Sequence, residues 1–96
     1  MKLYLLSQDT NDGYDTYDSC VVAAVDHVEA VRISPDRSRV WSVKHSCWML
    51  RMFDGKLEKD RHGTWVDDLS LIKVEQIGVA RDGVEQGVIC ASFNAG

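Results

Sequence analysis

Four aspartates recur at every third residue in the segment DTNDGYDTYD, at Asp9, Asp12, Asp15 and Asp18, with Tyr14 and Tyr17 between them. D-x-x-D spacing in a turn-rich segment can gather carboxylate oxygens around a hard cation. The calcium-loop order, D-x-D-x-D-G with a later glutamate, is missing, so no metal is expected there. Two other uses of the carboxylates stay open. As an array they imitate the phosphates of a nucleic acid and steer toward a basic channel, with Tyr14 and Tyr17 as interface anchors. As a solvated loop they close Asx-turns while the tyrosines cover a sheet edge.

Between residues 39 and 53 the chemistry reverses. Arg39, Lys44 and Arg51 interleave with Trp41, Trp48 and Phe53. Cations beside flat aromatic faces bind single-stranded nucleic acid, because phosphates attract positive charge and bases stack on π surfaces. The spacing also fits an ordinary core. Trp41 and Val43 share one parity, as do Trp48, Leu50 and Met52, which is the pattern of half-buried strands with Lys44, Cys47 and Arg51 turned to water.

The remaining reactive side chains carry less. His27, His45, Cys47 and His62 lack the paired C-x-x-C or H-x-x-x-H spacing with which one local element holds zinc. A cysteine–histidine nucleophilic pair can be written from Cys20 or Cys47 with His27 or His45, but no oxyanion loop or orienting motif accompanies it. Residues 83–87, GVEQG, have two glycines and no following Lys-Ser/Thr, so no phosphate loop is present. The expectation is a chain with no catalytic residue, no metal and no cofactor.

Charge sorts these segments. The 96 residues hold 11 Lys and Arg against 15 Asp and Glu, a net charge of −4. Residues 32–61 contain eight basic and four acidic side chains, a balance of +4, and the rest contains three basic and eleven acidic, a balance of −8. A small total therefore conceals two opposed regions. Apolar residues at 45% and charged ones at 27% are globular proportions and exclude a disordered or collagen-like chain. Three singly spaced cysteines cannot close a disulfide framework, and the first five apolar residues are too short for a signal segment or a membrane span. The reading is a cytoplasmic protein without membrane contact.

The elements that position these groups follow from pattern and punctuation. Residues 2–7, KLYLLS, and 19–25, SCVVAAV, read as strands on either side of the Asn11-Asp12-Gly13 reversal, the second buried on both faces or central in a sheet. Asp26 is a helix N-cap with Glu29 three residues on and Val25 and Ala30 in staple positions, and Pro35 ends the helix near Ile33. Val28 and Val31 are its expected sheet-facing side. Short strands are expected at 39–43 and 47–53, an Asp54-Gly55 turn after them, and another β segment at 64–66. Asp67-Asp68 cap one helical turn before a strand at 72–80, which pairs antiparallel with 88–93 across the Asp82-Gly83 turn. The sum is one α+β domain over residues 1–96: a small, mostly antiparallel sheet of about five strands with one short helix on one face.

YDTYDS at residues 14–19, Trp65-Val66, VEQIGVA at 74–80 and the ending GVICASFNAG resemble a group of small uncharacterised proteins encoded in phages, prophages and bacterial mobile regions. The resemblance covers residues 3–35 and 64–96, and the Trp41 and Trp48 region inherits nothing from it. It carries over no catalytic residue. What it implies is context: a non-enzymatic protein in the host cytoplasm that binds and inhibits a host macromolecule, with anti-CRISPR inhibitors as the example class. Partner-binding residues are then Asp9, Asp12, Tyr14, Asp15, Tyr17 and Asp18 in the acidic loop, or Arg39, Lys44 and Arg51 in the basic middle. The partner is a host protein of nucleic-acid-handling defence. Direct nucleic-acid binding through the middle segment is the alternative, and a homodimer through an exposed strand edge is a further arrangement.

Overall fold

The computed structural model describes residues 1–60 and 63–94. Strand β1 (Lys2–Ser7) and strand β2 (Thr16–Ala24) pair antiparallel, as the two apolar runs flanking the Asn11-Asp12-Gly13 reversal require. Tyr4 and Leu6 on β1 lie opposite Val22 and Cys20 on β2, and all four are buried. Leu6 and Val22 are wholly enclosed, each contributing roughly 1.5–3 kcal/mol by leaving water.

Asp26 caps the helix α1 (His27–Val31) as its sequence position predicts, its carboxylate accepting from the Glu29 N–H at 2.9 Å. The helix is a single turn and a half, shorter than the expected run to Ile33. Its buried residue is Ala30, with Val31 and Ile33 packed beside it, whereas Val28 is exposed and Val25 is too exposed to form a staple. Of the two valines expected to face the sheet, Val31 packs against the core and Val28 does not, and Ala30 between them is wholly buried.

The middle of the chain forms a sheet of its own. Strands β3 (Arg39–Ser42), β4 (Cys47–Arg51) and β5 (Leu57–Lys59) make an antiparallel meander in that order. The Asp54-Gly55 turn joins β4 to β5, with Gly55 at φ +83 and Asp54 accepting from the Lys56 N–H at 3.0 Å. Trp41 and Trp48 sit opposite each other and contact edge to face, centroids 5.0 Å apart. Trp48 reaches the core, and its indole N–H donates to the Val66 carbonyl at 3.0 Å. Residues 64–66 form no strand. They form a connection whose Trp65 and Val66 are buried in the core cluster. Asp68 then caps the single 3-10 turn Leu69–Leu71, accepting from the Ser70 N–H and hydroxyl.

Strands β6 (Lys73–Val79) and β7 (Gly87–Asn94) complete the first sheet, but not as neighbours. The order is β6-β1-β2-β7, antiparallel throughout, so the two strands expected to form a hairpin lie on opposite edges. Gly83, at φ +91, turns the chain within a connection that crosses β1 and β2. The expected sheet of about five strands is therefore, among the described residues, seven strands in two sheets, of four and three, sharing one apolar cluster with α1. Among the described residues no helix is long and apolar enough to cross a membrane.

Candidate functional site

The acidic loop is held by side chains other than its aspartates. Gln8 is buried, and its carboxamide closes on Asn11 in both directions while also donating to the Tyr17 carbonyl at 2.8 Å. Asn11 in turn donates from Nδ2 to the carbonyls of Gly63 and Trp65. At the far side of the loop the Thr16 hydroxyl donates to the Gly13 carbonyl at 2.6 Å, and the Asp15 N–H to the Asn94 carbonyl at 2.7 Å. Asp15 adopts a left-handed φ of +59, a conformation aspartate tolerates better than most residues. The loop is thus tied to β1, β2, β7 and the 63–65 connection.

With those bonds made by neutral groups, the carboxylates are spare. Asp9, Asp12, Asp15 and Asp18 are exposed, and among the described residues none closes the Asx-turn expected of a solvated loop. Asp9 has a long, fully solvated ion pair with Lys73, 3.8 Å, which contributes little. Tyr14 projects at 79% exposure. Tyr17 differs from the anchor expected of it. A β-bulge at Asp18 turns Tyr17 to the core face, where its ring meets Phe93 at 4.8 Å. Burial, with Asp36 second, pushes its phenol above the usual tyrosine range, while Arg39 pulls the other way.

The basic segment is dispersed. Arg39 is consumed by an internal network. Its guanidinium donates to Asp36 at 2.6 Å and, through Nε and Nη2, to both carboxylate oxygens of Asp60 at 3.2 and 3.3 Å. The arginine side chain is 13% exposed and the Asp60 side chain 7%. Fork-to-carboxylate geometry of this kind ties β3 to the end of β5. Lys44 lies in the β3–β4 turn and Arg51 at the other end of β4, both exposed, so the three cations do not form one patch. Trp48, the expected stacking platform, is buried, and Phe53 stands fully exposed at the β4–β5 turn.

A recess of about 680 Å³ lies between the end of α1, β3 and the start of β7. Ile33, Trp41 and Val88 give it apolar walls, and Arg32, Arg37 and Glu85 stand on its rim. Arg37 donates to the Val88 carbonyl at 3.2 Å. Sequence reading missed this feature because it joins residues more than 50 positions apart. It holds neither histidine nor cysteine. Cys20, in the core, has its thiol pushed up to about 12 by burial, with Cys90 adding to the shift, so the thiolate a nucleophile needs is disfavoured. Among the described residues no three His, Cys, Asp or Glu side chains gather as a metal site, and His62 lies outside those residues.

Comparison with protein-family models, curated proteins and solved structures finds no match to this chain.

Proposed function

We propose that this is a non-enzymatic, phage-type binding protein that inhibits a host macromolecule, with a nucleic-acid-handling defence protein of the CRISPR kind as its target class. The observation that carries the reading is the division of labour in the acidic loop. Gln8, Asn11 and Thr16 fix the backbone, leaving four solvent-exposed carboxylates, of which, among the described residues, only Asp9 has a long ion pair, and the exposed Tyr14 on a held scaffold. Rigid presentation limits the entropy lost on docking, and an ordered array of negative charge fits a surface evolved to grip phosphates. The likeness of YDTYDS and GVICASFNAG to phage-encoded proteins points the same way.

The nucleic-acid alternative has fewer groups to work with. Arg39 is engaged with Asp36 and Asp60, and Trp48 is buried, which leaves Lys44, Arg51 and Phe53 at separate places. Affinity capture from the natural host, with mass spectrometry of the retained material, separates the two readings. Recovery of a defence nuclease or effector supports inhibition. Recovery of nucleic acid alone, with tight oligonucleotide binding at low salt, replaces it with the alternative.

A further inference from the structure

The recess beside α1 runs along an open strand edge. β3 is an outer strand of the three-stranded sheet and β7 an outer strand of the four-stranded one, and among the described residues neither has a second partner strand. Arg39, Val40, Trp41 and Val43 all line the recess. Successive residues of a strand point to opposite faces, so a run lining a cavity with both parities meets it along the strand's edge. Gly87 and Val88, at the start of β7, stand across from it, and Ile33 beyond α1 supplies a further wall.

The main-chain bonds of the smaller sheet fix which backbone groups of β3 point outward. The Arg51 N–H donates to the Ser38 carbonyl at 2.8 Å, which places the β3–β4 ladder bonds at Ser38, Val40 and Ser42. The Asp60 N–H donates to the Trp48 carbonyl at 3.1 Å, so the backbone of Trp48 faces β5. Both observations make Trp41 and Trp48 a pair without main-chain bonds between them, and the N–H and carbonyl of Trp41 therefore point away from β4. The Arg39 N–H points the same way and is taken by the Asp36 carbonyl at 3.0 Å.

We infer that this recess binds an extended peptide segment of a partner protein, which adds to β3 as a further strand through the N–H and carbonyl of Trp41. The segment is apolar at its centre and acidic toward its ends. In strand addition the main chain supplies affinity and alternate side chains supply specificity. Ile33, Trp41 and Val88 offer those side chains an apolar lining. Arg37, two residues before β3, and Lys44, two after it, are exposed cations at either end of the edge. Arg37 makes one hydrogen bond among the described residues, to the Val88 carbonyl, and a guanidinium has five donors. The edge of β7 is the poorer template, because Arg37 occupies that carbonyl and a bulge at Ile89 breaks its row. A second copy is the wrong occupant. Its own β3 is flanked by the same walls, so two recesses cannot interpenetrate, and antiparallel pairing of the two β3 edges opposes like charges. No residue of the acidic loop lines the recess, so this site is independent of the function proposed above.

NMR of the intact chain tests this with a synthetic peptide of about eight residues, alternating valine and threonine with glutamate at both ends, so that either strand direction brings an acid to Arg37. In the free chain the Trp41 N–H is expected to exchange fast while those of Val40 and Ser42 are protected. Peptide at millimolar concentration is expected to shift and protect the Trp41 N–H. Methylating one alternate set of peptide nitrogens weakens binding about tenfold or more, because it removes main-chain donors without touching the protein, and methylating the other set is tolerated. Lysine in place of both glutamates weakens binding as well. A Trp41 N–H already protected in the free chain, no response to the peptide, or binding indifferent to methylation of either set overturns the inference. So does equal binding of the lysine peptide.

Discussion

The carboxamide of Gln8 grips the backbone of Asn11 at both ends, Nε2 donating to the Asn11 carbonyl at 2.7 Å and Oε1 accepting from the Asn11 N–H at 2.8 Å. One buried neutral side chain thereby shapes the most acidic segment of the protein, and the aspartates stay exposed to solvent. Gln8→Leu keeps the volume but strands the Asn11 and Tyr17 backbone groups. It is expected to cost about 2 kcal/mol in denaturant unfolding, with faster hydrogen exchange at Asn11. An unchanged exchange rate there contradicts the assignment of Gln8 as the loop's anchor.

Arg39 is expected to behave as a structural cation. Arg39→Met leaves the carboxylates of Asp36 and Asp60 facing each other with low exposure, and the loss of stability is expected on the order of 3 kcal/mol. Arg39→Lys recovers only part of it, since an ammonium cannot span both oxygens of Asp60 while holding Asp36. Thermal unfolding of the two variants checks the order. Near-wild-type stability in Arg39→Met returns the residue to the surface, as its position in a basic sequence segment first implied.

Cys20 and Cys90 are expected to separate sharply in reactivity. Cys90 is exposed and alkylates readily at pH 8, while Cys20 is buried with its thiol pushed up to about 12 and is expected to label only on unfolding. Peptide mapping after brief iodoacetamide treatment reads both. The same shift has a pH consequence. The folded chain holds the Cys20 proton more tightly than the unfolded chain, whose thiol titrates near 9.0, so this contribution to stability is fully present below about pH 9 and is lost as pH rises toward 12. Cys20→Ala is expected to show a shallower alkaline decline than wild type in that window.

The legible parts of the fold were those written in short stretches of chain. The β1–β2 pair, the Asp26 cap, the Asp68 cap and the Asp54-Gly55 turn each depend on a few adjacent residues, and each stands where local chemistry sets it. What local pattern could not carry was strand order. Residues 73–79 and 87–94 are joined by a turn signal fit for a hairpin, yet β1 and β2 lie between them, because those apolar strands occupy the centre of the sheet. Tyr17 was unreadable for a similar reason: the bulge at Asp18 reverses its parity, and no residue type announces a bulge. In the candidate site the exposed aspartates and Tyr14 follow from composition. The roles of Gln8 and Arg39 do not, since Gln8 acts by being buried and closing on loop backbone, and Arg39 by reaching Asp60 across the second sheet.

The central claim, that the fixed acidic loop grips a basic host protein, is tested most directly by one binding series on the captured target. Wild type and the fourfold variant Asp9→Asn, Asp12→Asn, Asp15→Asn and Asp18→Asn are titrated by calorimetry at low and at high salt. The account predicts that wild-type affinity falls steeply with salt while the variant binds at least about tenfold more weakly at low salt and hardly responds to added salt. Equal affinity of the two proteins at low salt contradicts it.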